Sequence, residues 1–213
     1  KSFSPLICFA VKSNTNVNII REIKKLGLGA DVVSMGELMM ALKAGINPNK
    51  IVFSGVGKTS DEIKFAIDKK ILLINAESLS EIKEINKIAK IKNKIIRIGI
   101  RLNPNTDAKT LSQISTGKKE NKFGVNKNTF YEILSKTDHQ FEFIDLGGGM
   151  GITYSNKNKK LNYKKYNTAI IKFLKKHKVK IIFEPGRSII GNTGILLSKV
   201  IYIKDNERKK FII

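Results

Sequence analysis

The sequence has no tryptophan, one cysteine and only two histidines among its 213 residues. A single cysteine, Cys8, excludes an intramolecular disulfide and favours a reducing compartment, so we expect a cytoplasmic protein. His139 and His177 are too few and too far apart for a zinc site, and no metal is expected. No apolar run reaches about 18 residues, and the N-terminus lacks a signal-peptide core, so no membrane partner is predicted.

Acidic residues are scarce too, with 18 Asp and Glu against 40 Lys and Arg, which gives a net charge of +22. Such an excess is typical of proteins that bind nucleic acid. The lysines, however, are spread over nearly every helical segment without interleaved aromatic residues. We interpret them as solvated surface positions and expect no nucleic-acid partner.

The 41% hydrophobic content is enough to bury the core of one domain, or of one domain and part of a second. Apolar, β-branched runs that end in small or polar residues predict strands, and segments with helical spacing lie between them. This alternation indicates an α/β fold with a parallel sheet or barrel. The seven strand-like runs cover residues 6–11, 30–34, 51–54, 71–75, 95–102, 141–146 and 179–184.

A closed (β/α)8 TIM-type barrel needs eight strands, one more than the sequence offers. Residues 125–140 have room for one helix, at 128–134, but not for a strand and a second helix. We therefore predict a barrel domain over residues 1–190 with one strand missing near residues 135–141. Beyond it, apolar runs at 195–197, 200–203 and 211–213 have no helices between them, so residues 191–213 are predicted to begin a C-terminal β-domain.

Lys12 ends the first predicted strand, at the rim where barrel enzymes place their chemistry. An amine there can carry an aldehyde as an imine, although without the other motifs an ordinary surface lysine is the favoured interpretation. A glycine-rich loop at residues 147–151 follows another strand and would let backbone N–H groups approach a phosphate. It does not match the dinucleotide fingerprint, because Ile152 stands where the third glycine belongs, and it could simply be a turn.

Glu184, Gly186 and Arg187 follow the last strand of the barrel region. A carboxylate can hydrogen-bond a protonated pyridine nitrogen, and an arginine can bind a phosphate or a carboxylate with two hydrogen bonds. A structural ion pair at the strand end is the alternative. Taken with Lys12 and the glycine loop, these residues point to pyridoxal phosphate as cofactor.

Several segments, in order, resemble the diaminopimelate decarboxylases, and the resemblance covers nearly the whole chain. The segment at 115–124 favours this family over its ornithine and arginine relatives. The matching segments are ICFAVKSN at residues 7–14, GADVVSMGEL at 29–38, IVFSGVGKT at 51–59, RLNP at 101–104, STGKKENKFG at 115–124, GGGMG at 147–151 and EPGRS at 184–188.

The resemblance implies a pyridoxal-phosphate enzyme with an alanine-racemase-like barrel. Such an enzyme converts meso-2,6-diaminopimelate to L-lysine and carbon dioxide, the last step of lysine biosynthesis. It also implies a homodimer whose active site lies at the interface. Decarboxylases of ornithine, arginine or carboxynorspermidine remain alternatives, as does a barrel that binds the cofactor without turnover.

The same matching implies site residues. Lys12 would hold the cofactor and act in catalysis, and Glu184 would face its pyridine nitrogen. Arg187 would reach the phosphate or the substrate. Residues implied to bind the phosphate or to support the cofactor are Gly148, Gly149, Gly186, Asp31 and Arg101.

The sequence also departs from this family. It contains no His-Ile-Gly-Ser strand, whose histidine stacks on the cofactor, and His139 is not assigned that role. The C-terminal half that supplies a catalytic cysteine and a tyrosine is absent, and Cys8 does not match that cysteine. Either the 213 residues omit segments of an intact enzyme, or the protein is a natural fragment. Omission is favoured, because losing a central strand would expose two sheet edges.

Overall fold

The computed structural model describes residues 3–103, 123–136, 140–154 and 161–213, and these form an α/β fold. Strands and helices alternate from the N-terminus to residue 190, as the apolar pattern predicts. The strands are β1 (Leu6–Ala10), β2 (Gly29–Val32), β3 (Ile51–Phe53), β4 (Leu73–Ala76), β5 (Ile98–Ile100), β6 (Phe143–Asp145), β7 (Lys180–Phe183), β8 (Ile203–Asn206) and β9 (Lys209–Ile212).

Most helices begin directly after an Asn, Ser or Thr whose side chain accepts a hydrogen bond from the first turn. At α3, Thr59 and Glu62 form a reciprocal capping box. The helices are α1 (Val17–Lys25), α2 (Met35–Lys43), α3 (Ser60–Asp68), α4 (Leu79–Ile91), α5 (Lys127–Ser135), α6 (Tyr163–Leu174) and α7 (Arg187–Ile190), with one-turn 3-10 helices at Val11–Ser13 and Pro48–Lys50.

Seven strands form one parallel sheet in the order β5-β4-β3-β2-β1-β7-β6. The first strand, β1, lies inside the sheet between β2 and β7. The sheet has the strand order of a (β/α)8 barrel, and among the described residues β5 and β6 are its two edge strands, with no strand between them. The seven predicted strands are thus confirmed, and the position between β5 and β6 is where the eighth was predicted to be missing. Only β5 is much shorter than its predicted run, and Ile95 before it is fully exposed.

The core lies between the sheet and helices α1 to α4. Every residue of β2 and β3 is buried, which explains why these strands do not alternate between apolar and polar residues; Asp31 is the one charged residue in them. Phe9 and Phe53 are the largest fully buried side chains. Each contributes about 1.5–3 kcal/mol by leaving water. This packing fixes the strand ends that carry the polar residues of the rim.

The C-terminal region differs from the prediction. Residues 195–197 and 200–202 form no strand, and their apolar side chains are exposed. Their apolar composition favours a strand, but among the described residues no strand pairs with 195–197. Ile201 and Tyr202 donate backbone hydrogen bonds to Ile213 O, directly after β9. The region instead contains the antiparallel hairpin β8–β9, a separate two-stranded sheet. The division of the chain at residues 190 and 191 stays a prediction.

Some predicted features lie outside the described residues, namely Pro104, most of the segment at 115–124, and His139. His177 is exposed just beyond the end of α6, as expected, and its ring stacks on Phe173. Within the described part of the chain, no helix is long and apolar enough to cross a membrane. The same residues include no cluster of His, Cys, Asp and Glu that could hold a metal ion.

Candidate active site

Lys12 lies at the carboxyl end of β1, in the one-turn helix Val11–Ser13. Its Nζ is 3.4 Å from Oδ2 of Asp31, which lies in the adjacent strand β2. The lysine side chain is 57% exposed, whereas the Asp31 side chain is completely buried. Burial raises the pKa of Asp31, and the ammonium of Lys12 partly offsets this effect. The amine is therefore accessible from solvent while one buried carboxyl group fixes its position.

Glu184 lies at the same rim, directly after β7, and its N–H donates to Gly147 O at 2.8 Å. Burial raises the pKa of Glu184 to about 10, and the nearby charges of Asp31 and Asp145 add to the effect. The carboxyl group is therefore protonated at neutral pH. A protonated carboxyl group can donate a hydrogen bond or pass its proton to a basic nitrogen.

A set of polar side chains connects Glu184 with other strand ends. Ser54, after β3, donates from Oγ to Glu184 Oε1 at 3.5 Å. Asn75, in β4, donates from Nδ2 to Ser54 Oγ at 3.2 Å and to Asp145 Oδ2 at 3.5 Å. These contacts join β3, β4, β6 and β7 across the interior of the curled sheet.

Two glycines allow backbone segments to meet beside Lys12 and Glu184. A Cβ on Gly148 would lie 2.6 Å from Glu184 O, so no other residue fits there without a shift. A Cβ on Gly186 would lie 3.1 Å from the Cβ atoms of Ala10 and Ser13. Gly186 therefore lies directly against the turn that carries Lys12. The peptide groups here are free of side chains and can approach a phosphate closely.

The rest of the glycine loop lies beside α7. Gly149 has a φ of 77°, which other residues rarely adopt, and an added Cβ there would meet nothing within 4 Å. A Cβ on Gly191, which follows α7, would lie 2.7 Å from Ile152 Cδ1. This close packing places Arg187, the first residue of α7, in the helix next to the loop.

Arg101 follows β5 and is held by Glu77, which follows β4. Its Nη1 donates to Glu77 Oε1 at 2.8 Å, and its guanidinium lies 4.7 Å from the centre of the Phe123 ring. Glu77 is only 5% exposed. It also accepts hydrogen bonds from the N–H groups of Gly55, at 3.2 Å, and Gly124, at 2.8 Å. One buried carboxylate therefore holds three loops at the rim.

A second buried pair supports Glu77. The Glu77 N–H donates to Glu81 Oε2 at 2.8 Å. Glu81 Oε1 lies 2.7 Å from Nζ of Lys58, whose side chain is 1% exposed. Lys58 also donates to Gly55 O. This lysine of the segment at 51–59 is thus enclosed within the protein and is not available to a ligand.

The structure brings together Lys12, Asp31, Glu184, Gly148 and Gly186. Arg101 is connected to them through Glu77 and the loop after β3, and Arg187 follows Gly186 directly. The sequence-based reasoning missed several residues of the polar network. Each directly follows or lies near the end of a predicted strand, and that position is the signal that could have revealed them. They are Ser54, Asn75, Glu77 and Asp145.

Relatives of known function resemble this chain closely. A diaminopimelate decarboxylase of Aquifex aeolicus is 38% identical over 250 residues, which cover 98% of this chain and 60% of that protein. The enzyme of the same name from Helicobacter pylori is 40% identical over 255 residues, covering all of this chain and 63% of its own length. This chain thus spans about three-fifths of the length of these relatives.

A solved structure of a diaminopimelate decarboxylase also resembles this chain. The crystal structure of the Helicobacter pylori diaminopimelate decarboxylase complexed with L-lysine superposes with a TM-score of 0.88 at 37% identity, covering 100% of this chain and 64% of that one. A family model, "Pyridoxal-dependent decarboxylase, pyridoxal binding domain", matches residues 2–141 and 127–191. The chain therefore belongs to the pyridoxal-dependent decarboxylases, through a match to their pyridoxal binding domain.

Proposed function

We propose that the protein acts as a diaminopimelate decarboxylase, which converts meso-2,6-diaminopimelate to L-lysine and carbon dioxide with pyridoxal phosphate as cofactor. The observation that carries the proposal is the convergence of Lys12, Asp31 and Glu184 at one rim of the sheet. The names of the relatives support the choice of substrate.

The residues present fit this cofactor. Lys12 offers an accessible amine, and Glu184 offers a buried carboxyl group that can exchange a proton with a pyridine nitrogen. Gly148 and Gly186 lie where side chains would clash, which leaves bare peptide groups for a phosphate. We assign Gly149 to the same phosphate site.

The cofactor, when bound, supplies a ring that accepts the electron pair left by the departing carbon dioxide. Lys12 holds the aldehyde end of the cofactor through its Nζ and is the first candidate to move protons there. Asp31 orients that amine from the buried side, 3.4 Å away. Glu184 holds a proton at the pyridine nitrogen, which lowers the energy of the transition state.

The two arginines have different roles in this proposal. Arg187 follows the glycine contact at Gly186 and binds the phosphate or the substrate carboxylate with two parallel hydrogen bonds. Arg101 supports the cofactor, and its orientation is fixed by Glu77 and by the ring of Phe123. Substitution of each arginine can test its proposed role separately.

We further propose a homodimer with the active site at the interface, and a cytoplasmic location. The resemblance to the decarboxylase family supports the dimer. The lone buried cysteine, Cys8, is consistent with a reducing compartment.

Absorbance of the purified protein with pyridoxal phosphate tests the cofactor assignment. We expect a protein-bound cofactor band that Lys12→Ala abolishes, because that variant lacks the attaching amine. Lys83→Ala, which removes an exposed lysine of α4, is the matched control and should keep the band. Equal bands in both variants would contradict the role of Lys12.

Carbon dioxide release from the full-length protein tests the substrate. We expect release from meso-2,6-diaminopimelate and much less from ornithine or arginine. Preference for either of the latter two would reassign the protein within the family. Cofactor binding without release from any of them would favour a non-catalytic barrel.

A further inference from the structure

Asp145, the last residue of β6, holds the beginning of the glycine loop with its side chain. Its Oδ1 accepts a hydrogen bond from Gly147 N–H at 2.8 Å. A hydrogen bond from an N–H group to a carboxylate is about twice as strong as one between neutral groups. Asp and Asn often close a turn by accepting in this way from the residue two positions later. The carboxylate of Asp145 therefore fixes the first glycine of the loop.

Gly147 connects Asp145 to Glu184. Its N–H donates to Asp145, and its O accepts from Glu184 N–H at 2.8 Å. The φ of Gly147 is 64°, which other residues rarely adopt. A Cβ on Gly147 would lie 3.8 Å from Oε2 of Glu184, so this glycine lies beside the carboxyl group as well as the backbone of Glu184. Two short hydrogen bonds therefore join the ends of β6 and β7 through one residue.

A second route from Asp145 to Glu184 runs through side chains and is weaker. Asn75 Nδ2 lies 3.5 Å from Asp145 Oδ2 and 3.2 Å from Ser54 Oγ. Ser54 Oγ lies 3.5 Å from Glu184 Oε1. N–H···O hydrogen bonds usually measure about 2.7–3.2 Å, so two of these three contacts are long. We therefore expect the oxygen that accepts from Gly147, rather than the contact with Asn75, to carry the effect of Asp145.

The rest of the loop depends on the position of Gly147. A Cβ on Gly148, the next residue, would lie 2.6 Å from Glu184 O, so the loop packs directly on the backbone of Glu184. Because the Gly147 N–H is donated to Asp145, the peptide groups that the loop can offer to a phosphate begin at Gly148. A shift of Gly147 would move these groups relative to Glu184.

We propose that Asp145 is a positioning residue of the active site. Its Oδ1 holds Gly147, and Gly147 holds the backbone of Glu184. The loop that binds the phosphate and the carboxyl group that faces the pyridine nitrogen thereby keep a fixed separation. This inference rests on the proposed function, because it concerns the residues at two ends of the same cofactor.

Hydrogen exchange of individual amides in the cofactor-free protein tests these contacts. Asp145→Ala should speed exchange at Gly147 by about tenfold, the factor for one lost hydrogen bond to a charged acceptor. Exchange at Glu184 should also become faster, although its N–H donates to Gly147 O and not to Asp145. Ile63 N–H, which donates to Thr59 O in α3, is the internal reference and should not change. Asp145→Asn keeps an acceptor oxygen for Gly147 and should leave both rates unchanged.

Binding of pyridoxal phosphate and of pyridoxal, which lacks the phosphate, tests the consequence for the cofactor. Asp145→Ala should weaken the binding of pyridoxal phosphate about tenfold more than that of pyridoxal, because only the former needs the loop. Asp145→Asn should keep the ratio of the two affinities. Asp205→Ala, which removes an exposed carboxylate of the hairpin β8–β9, is the matched control and should keep it too.

Unchanged exchange at Glu184 in Asp145→Ala would overturn the proposal, as would equally fast exchange in Asp145→Asn. An equal loss of affinity for both ligands would also overturn it, since that result indicates a general structural role. If the unsubstituted protein bound neither ligand, the proposed function would be contradicted instead. The exchange rates of Gly147 and Glu184 would then still decide whether Asp145 positions the loop.

Discussion

Replacing Glu77 with alanine would remove the acceptor that three groups at the rim share. Its Oε1 accepts from Gly55 N–H and from the Arg101 guanidinium, and its Oε2 accepts from Gly124 N–H. Alanine offers none of them a replacement. The substitution would remove the common anchor of the loop after β3, the loop after β5 and Gly124.

The expected loss follows from the burial of these groups. A buried N–H without an acceptor costs about 1–3 kcal/mol, and two N–H groups are affected; both belong to half-buried glycines, so each should cost no more than about 2 kcal/mol. The Arg101 side chain is 33% exposed and regains water, so its share is small. We expect a loss of about 2–4 kcal/mol, near the lower part of the range for breaking a buried ion pair. Glu77→Gln keeps one acceptor oxygen and should lose about half as much.

Urea denaturation at neutral pH measures this loss as a change in the free energy of unfolding at constant m-value. Glu22→Ala is the matched control, because Glu22 is 67% exposed and pairs with Lys25 on the surface of α1. It should change the free energy by less than about 1 kcal/mol. If Glu77→Ala were as mild as the control, Glu77 would not hold the rim together.

Two further predictions concern buried ionisable groups. The pKa of Glu184 is about 10 in the folded protein and near 4.5 in the unfolded protein. Between pH 4.5 and pH 10 the folded protein therefore keeps a proton that the unfolded protein releases, and its stability falls as the pH rises. Glu184→Gln should therefore gain stability relative to the unsubstituted cofactor-free protein from pH 5 to pH 8 in urea denaturation, and a constant difference would refute this. Burial also raises the pKa of the Cys8 thiol, so a thiol-specific disulfide reagent should react with it only after unfolding. Rapid reaction of the folded protein would show that β1 opens readily.

The sequence predicts the strands and helices well because the buried strands are mostly apolar and most of the described helices begin at a polar cap. It also predicts that Lys12 and Glu184 lie at one rim, since the carboxyl ends of parallel strands share an edge. The contact between Asn75 and Asp145 could not be predicted, because β4 and β6 are not neighbours in the sheet and the contact depends on how tightly the sheet curls. That curvature arises from packing along the whole sheet and has no local signature.

The C-terminal apolar run at residues 195–197 was misjudged for a related reason, whereas the runs at 200–203 and 211–213 fall partly in β8 and β9. Residues 195–197 have the composition of a strand, but a strand needs a paired neighbour, and the chain places none beside them. Composition alone also overstated β5, whose first residues are exposed at the open edge.

The central position of β1 has a consequence for the order of events during synthesis. Among the strands that the structure describes, β1 precedes every other strand of its sheet in the sequence, yet one of its two neighbours, β7, comes last of the seven. Until then one side of the lysine-bearing strand is unpaired, and contacts so distant in sequence form slowly. If Glu184 has the role proposed above, translation must pass this residue before a nascent chain can bind the cofactor.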